Sequence, residues 1–270
     1  KIGRDARSPL VHIDSSLEGV EVVTINRPER RNAFDAELIG ALYQAFETLR
    51  GAEGVRAVVL RGAGGYFCAG ADLDWMRAAH TYSEAENRED ALELARMLKA
   101  LWDIPALTIA MVEGGAFGGG AGLVAACDVA IATADAKFSF SEARLGLLPA
   151  TISPYVVAAI GPRSARALFA TARVFDAAHA EKVGLLSAVA ADRQALTDAV
   201  ERTIDEVMAC GPIAVAESKR LVTDVAGRHI DNRLLDETAR RIAAARVSPE
   251  GQEGVAAFLG RRKPDWAQQG

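Results

Sequence analysis

Residues Met111–Asp128 read MVEGGAFGGGAGLVAACD, and the apolar run LTIAMV leads into them. The stretch carries Gly114, Gly115, Gly118, Gly119, Gly120 and Gly122, then small residues suited to a closely packed helix. An apolar run, a glycine cluster and a small-residue run predict strand, turn and helix. Glycine opens backbone angles closed to other residues and removes the Cβ atoms that would block close approach. The first N–H groups of the helix have no partner within it, and their partial positive charge favours an anion. Two readings follow. The turn cradles an anionic group, or its glycines only let a helix pack tightly on a sheet.

The rest of the composition narrows the setting. The chain has 270 residues, 50% hydrophobic and 25% charged, enough for one large α/β domain, or one domain with a small helical appendage. A net charge of -5 argues against nucleic acid or an anionic membrane as the general partner. Cys68, Cys127 and Cys210 lack CxxC spacing, so neither a disulfide framework nor a zinc site is expected and the compartment is read as cytoplasmic. KIGRDARSPL is charged and has no apolar core, so no signal peptide is expected. No uncharged apolar run reaches the ~18 residues of a membrane span.

Outward from the central stretch, periodicity alternates between 2 and 3.6. LVHID and VEVVTI predict an antiparallel pair around SSLEG. The polar loop NRPERRN follows, and Asp35 is the expected N-cap of a helix to about Leu49. VRAVVLRG predicts a short strand buried on both faces. GAGGYFCAGADLDWM reads as a second glycine-rich loop, with a helix from about Ser83 to Trp102 after it. VAIATADAKFSF predicts two short strands turning at Ala134–Asp135, and SEARLGLLPATISP a loop. PYVVAAIG, SARALFAT and DAAHAEKVG predict three short helices, and LLSAVA one more strand. Helices are expected at about 192–209, 212–225, 231–246 and 249–259. The fold class is therefore α/β, an alternating core of repeated β-β-α character with an α-helical C-terminal region.

Two glycine-rich turns carry more than one. FCAGADL places Ala69 just before Gly70, and the central stretch places Gly118–Gly120 at a helix start. If both turns sit at one edge of the core, two backbone N–H groups converge on one oxygen as an oxyanion hole. Other readings fail on spacing. Neither loop is a GxGxxG opening a βαβ unit, and neither GxxxxGK[ST] nor GxSxG occurs. His12, His80, His179 and His229 are scattered and form no HExxH pair.

Four segments now resemble one family in order. NRPERRNAFD, GYFCAGADL, VEGGAFGGGAGLVAACDVAIA and FSFSEARLGLLP resemble the corresponding segments of the enoyl-CoA hydratase/isomerase superfamily, the crotonases. The resemblance implies a β-β-α superhelix over residues 1–200, with residues 201–270 forming a helical trimerisation region. It implies an acyl-CoA thioester substrate bound as an enolate, no cofactor beyond the CoA of the substrate, no metal, no nucleic-acid or membrane partner, and a homotrimer or dimer of trimers. Carried over by position, Ala69 and Gly119 are the two oxyanion donors and Glu142 is the catalytic carboxylate.

One departure matters. The family's hydratases carry a second glutamate three residues beyond the middle glycine of GGG, where this chain has Gly122. A substitute (Glu113, Asp72, Asp74, Ser139 or Ser141) or a one-carboxylate reaction would each accommodate the loss. PATISPYVVAAIG and SPEGQEGVAAFLGRRKPDW resemble a bacterial subgroup assigned as methylglutaconyl-CoA or related hydratases of leucine breakdown, which also lacks that glutamate. The expected activity is hydration of a short or branched enoyl-CoA, including the 3-methylglutaconyl type. The alternatives are a Δ3-Δ2 enoyl-CoA isomerase using one glutamate, and an acyl-CoA binding module. Arg144 either pairs with a distal carboxylate of the substrate or covers the surface.

For CoA, the resemblance places backbone contacts around Ala33, Ala71, Asp72, Leu73 and Gly118. Arg27, Arg30 and Arg31, with Arg261, Arg262 and Lys263, are the candidates for the phosphates, Arg31 and Lys263 foremost. Phe258 and Leu259 are the candidates to pack on the adenine. The alternative is that these charge clusters only face solvent.

Overall fold

The computed structural model describes residues 9–267, so the reading of the first residues as lacking a leader falls largely outside it. Val11–Leu17 (β1) and Val20–Ile25 (β2) form the expected antiparallel hairpin, with an irregularity between Asp14 and Leu17. Ala36–Gly51 (α1) starts where predicted, because the Asp35 side chain accepts the Leu38 N–H at 2.8 Å. Ala57–Gly62 (β3) runs parallel to β2 and is largely buried.

The second glycine loop is not loop throughout. Asp72 caps a helix over Leu73–His80 (α2), accepting the Asp74 and Trp75 N–H groups. Its eight residues are too few for a periodic pattern to stand out. Glu84–Trp102 (α3) follows a capping box in which Ser83 and Glu86 satisfy each other's backbone N–H.

Leu107–Val112 (β4) is the predicted strand, but the chain does not turn directly into a helix. Gly115–Phe117 (β5) intervenes, and only then does Gly119–Ala126 (α4) begin. Val129–Thr133 (β6) and Lys137–Ser139 (β7) flank the predicted turn, yet they join different sheets. Ser153–Thr171 (α5) unites two of the predicted short helices across a break at Gly161 (φ 76°, ψ 162°), which Pro162 follows. Phe175–Asp176 (β8), Ala177–Val183 (α6) and Ala188–Ala190 (β9) come next. Arg193–Met208 (α7), Pro212–Val225 (α8), Asn232–Val247 (α9) and Pro249–Leu259 (α10) match the predicted helices closely.

The larger sheet has the order β1-β2-β3-β4-β6-β9 and the smaller β5-β7-β8. The chain winds between them. From β4 it passes to β5 and then α4, and from β6 to β7 and then α5. The pass after β3 is the same in outline, because Cys68 bridges Ala116 of β5 before α2 begins. Each turn of this superhelix thus gives one strand to each sheet and then a helix, the repeated β-β-α pattern. The core between them is dominated by fully buried side chains such as Phe34, Phe46, Phe67, Phe138 and Phe140.

The chain divides into two compact units, Lys1–Ile104 with Thr108–Glu201, and Pro105–Leu107 with Arg202–Gly270. In the second, Glu250 at the start of α10 accepts the Ile213 and Ala214 N–H groups, closing the N-terminus of α8. Lys219 reaches the Ala106 carbonyl at 2.7 Å. Among the described residues no helix is long and apolar enough to cross a membrane.

Candidate active site

Three extended segments lie side by side in parallel register. Cys68 is bridged to Ala116, and Ala116 is paired with Phe138. Cys68 donates its N–H to the Gly115 carbonyl at 3.2 Å, Phe117 returns one to the Cys68 carbonyl at 3.0 Å, and Gly118 donates to the Ser139 carbonyl at 2.9 Å. Three residues beyond this shared level lie Ala71, Gly119 and Ser141, with Glu142 next. The register therefore delivers both glycine loops and the Glu142 turn to one end of the small sheet.

The donors follow from hydrogen-bond accounting. Gly119 is the first residue of α4, and its N–H has no partner among the described residues. Gly118, the N-cap, takes φ 52° and ψ −120°, a conformation that only glycine adopts readily. On the other loop the expectation of Ala69 as donor is corrected. Its N–H is donated to the Arg31 carbonyl at 3.0 Å. The Gly70 N–H is held by the Cys68 thiol. Ala71, bridged to Phe34, is the residue of this loop whose N–H has no partner among the described residues.

Glu142 lies on a 3-10 turn over Ser141–Leu145. A Cβ built on Gly118 would sit 3.1 Å from Glu142 Oε1, which sets the carboxylate against the start of α4. Glu142 Oε2 is buried and has no hydrogen-bond partner among the described residues. Burial pushes the carboxyl above the usual range, with its own backbone N–H opposing. A half-buried carboxylate with an unpartnered oxygen suits proton transfer.

Gly122 has a steric reason. A Cβ there would lie 2.3 Å from Cγ2 of Ile152 and 2.8 Å from its Cβ. Ile152, 2% exposed, fills the space into which a side chain at position 122 would project. Sequence reading missed it, since nothing local ties PATISP to the glycine run. Four of the five candidate substitutes are engaged elsewhere. Glu113 faces Arg193 at 3.6 Å, Asp74 pairs with Arg30 and Arg77, and the Ser139 hydroxyl donates to the Ala172 carbonyl. Asp72, 3% exposed, pairs with Arg27 at 3.2 Å and caps α2.

That pairing also engages two of the arginines expected at the CoA phosphates. Arg27 is held by Asp35, Asp72 and the Ala33 carbonyl, and Arg30 by Asp72 and Asp74. Asp72 is thus a structural acid, and both arginines belong to its network. Arg31 is exposed, its guanidinium 5.6 Å from the Tyr66 ring centroid, and no carboxylate pairs with it among the described residues. Asn32, fully buried, donates to the Ala63 and Tyr66 carbonyls and accepts the Arg27 N–H. It pins this loop to the segment before Cys68, a role its place in a polar loop did not announce. Leu73 opens α2 and is exposed. In the second unit Phe258 is 82% exposed on α10. Lys263 lies just past that helix, and Arg262 beside it pairs with Glu253 at 2.7 Å.

The enoyl-CoA hydratase/isomerase family matches residues 15–269 of this chain. The enoyl-CoA hydratase AKT6-1 of Alternaria alternata is 36% identical over 253 residues, covering 93% of this chain and 82% of that protein. The mitochondrial methylglutaconyl-CoA hydratase of Mus musculus is 31% identical over 261 residues, covering 94% of this chain and 81% of that protein. Among solved structures, an enoyl-CoA hydratase from Shewanella pealeana superposes with a TM-score of 0.92 at 38% identity, over 97% of each chain. With its four motif segments in order and its β-β-α superhelix, the chain belongs to the enoyl-CoA hydratase/isomerase family.

Proposed function

We propose that this protein is an enoyl-CoA hydratase acting on a short or branched 2-enoyl-CoA, the 3-methylglutaconyl type included. The observation that carries the reading is the common register bringing the Ala71 and Gly119 N–H groups to the same sheet end as Glu142. The two N–H groups hold the thioester oxygen. Glu142 takes a proton from water as the water oxygen bonds to C3, and the double-bond electrons move through C2 onto the thioester oxygen. The enolate then collapses, and Glu142 returns the proton to C2. The raised affinity of Glu142 for its proton serves both halves of this exchange. The scheme uses no metal and no redox group.

Arg31 remains the basic residue of its loop suited to a CoA phosphate. Phe258 and Lys263 are proposed as contacts to the CoA nucleotide. The exposed apolar side chains of the C-terminal helices, Ile213, Val222, Leu235 and Ile242 among them, support self-association, which the family resemblance proposes as a homotrimer or dimer of trimers.

Turnover of crotonyl-CoA and 3-methylglutaconyl-CoA, followed by loss of conjugated absorbance, tests the activity. Glu142→Gln is expected to lower kcat by ~10²–10⁴; a mutant at wild-type rate removes Glu142 from the chemistry. Ile152 closed over Gly122 favours a second reading, a Δ3-Δ2 isomerase that moves one proton with one carboxylate. A 3-enoyl-CoA that gains conjugation, while no 2-enoyl-CoA is hydrated, would establish that reading instead. Acyl-CoA binding without turnover of any of these substrates would leave a binding module.

A further inference from the structure

The turn that carries Glu142 is a short 3-10 segment, a geometry with weaker internal hydrogen bonds than an α-helix. Its own backbone closes it at Gly146 and Leu147, while Leu145, Leu147 and Leu148 are exposed. The tie on its other side is Arg144. The Arg144 Nε–H donates to the Ala172 carbonyl at 3.0 Å.

Ala172 is an unusual anchor. It is buried, it ends α5, and it takes a left-handed conformation (φ 46°, ψ 29°) that costs an alanine energy. Its carbonyl also accepts the Ser139 hydroxyl at 3.2 Å. The Ser139 carbonyl in turn accepts the N–H of Gly118, the N-cap residue of α4. Hydrogen bonds therefore run without a gap from Arg144, through Ala172 and Ser139, to the helix that presents Gly119.

We propose that Arg144 is a positioning residue: its bond to the strained Ala172 carbonyl fixes the Glu142 turn relative to Ser139 and the start of α4, so that carboxylate and N–H donor face one substrate. The inference rests on Glu142 being the acid/base. It assigns Arg144 to the frame of the site and not to a carboxylate on the substrate.

The charged groups nearby leave this role to geometry. Helix α4 has no ionisable side chain, Lys137 of β7 is exposed, and Arg163 and Arg166 of α5 are exposed. None of them contributes to the elevation of the Glu142 carboxyl, which comes from burial. Loosening the turn would hydrate that carboxyl and lower its proton affinity.

The test compares Arg144→Met, which keeps the apolar stem but removes the donor, with Arg144→Lys and Glu142→Gln. A neutral and a carboxylated enoyl-CoA serve as substrates. Expected for Arg144→Met is a fall in kcat of about 10- to 100-fold on both substrates, with KM little changed and the acid limb of kcat/KM moved to lower pH. Arg144→Lys recovers part of the rate. An unmoved acid limb with near-wild-type kcat overturns the proposal. So does a loss confined to KM for the carboxylated substrate, which would make Arg144 its partner. If Arg144→Met does not fold, Ser139→Ala removes the other bond to the Ala172 carbonyl and is expected to move the limb the same way; an unmoved limb there overturns the proposal equally. Retained activity in Glu142→Gln would instead remove the reading on which the proposal rests, a result separable from the Arg144 series.

Discussion

The two glycine-rich loops present a backbone N–H in different ways. At Gly119 the donor is free because a helix begins there, and the first N–H groups of any helix lack partners within it. At Phe67–Asp72 no helix start does the work. The free donor is what remains after the Arg31 carbonyl has taken the Ala69 N–H and the Cys68 thiol the Gly70 N–H. One donor follows from local geometry, the other from bonds to chain brought in from a distance. The same wing of the site can therefore be read in advance on one side and only by elimination on the other.

The sharpest probe of this contrast deletes single N–H groups by replacing the amide with an ester. An ester at Ala71 or at Gly119 is expected to lower kcat by ~10²–10³ each, the usual cost of one oxyanion donor. The same change at Ala69 removes a structural bond worth about 1 kcal/mol and leaves kcat near wild type. If the Ala69 ester alone is slow, the elimination that points to Ala71 is wrong.

A smaller effect tests the contact between the loops. A Cβ on Gly120 would lie 2.4 Å from the Cys68 carbonyl oxygen and 2.8 Å from its Cβ. Gly120→Ala is expected to cost about 2 kcal/mol, read as a fall in Tm of several degrees. An unchanged Tm would mean that the two loops are not held in close contact.

Smaller again is the coupling between Gly122 and Ile152. Gly122→Ala drives a methyl into Ile152, so it destabilises the wild-type background more than the Ile152→Ala background. A double-mutant cycle in thermal denaturation is expected to show about 1 kcal/mol of coupling. Additive effects would place Ile152 outside that contact.

The smallest effect concerns the third partner of the two donors. Burial raises the Glu142 pKa above its unfolded value, so folding disfavours the charged form. This penalty is absent at pH values below the unfolded glutamate pKa, about 4.3, grows as pH rises toward the folded value, and is constant above it. Glu142→Gln should therefore be more stable than the wild type at pH 8, read as a higher Tm. The difference should vanish near pH 4. Equal Tm values at both pH values would show that the carboxylate is well solvated in the folded protein.

The boundaries of α1, α3 and α8 to α10 were legible because their signals are local. Asp35 caps α1, the Ser83–Glu86 box opens α3, and Pro or Asp residues mark the starts of α8 to α10. Short-range capping needs only neighbours in sequence. β5, β8 and α2 were not legible, since two, three or eight residues carry too little periodicity and are ordered by what they pair with or by a cap. The basic loop Arg27–Arg31 illustrates the same limit. Its charges resemble a phosphate site in sequence, yet two of its three arginines are engaged by Asp35, Asp72 and Asp74.

Residue order alone therefore pointed to the family, the β-β-α alternation, the helix start at Gly119 and Glu142 as the candidate carboxylate, because each is encoded in a short contiguous segment. Tertiary structure decided which N–H of CAGA is free, why position 122 has no side chain, and what braces the Glu142 turn. Those depend on Arg31, Ile152 and Ala172, partners distant along the chain, and a hydrogen bond or a steric contact is settled only when both sides are in place.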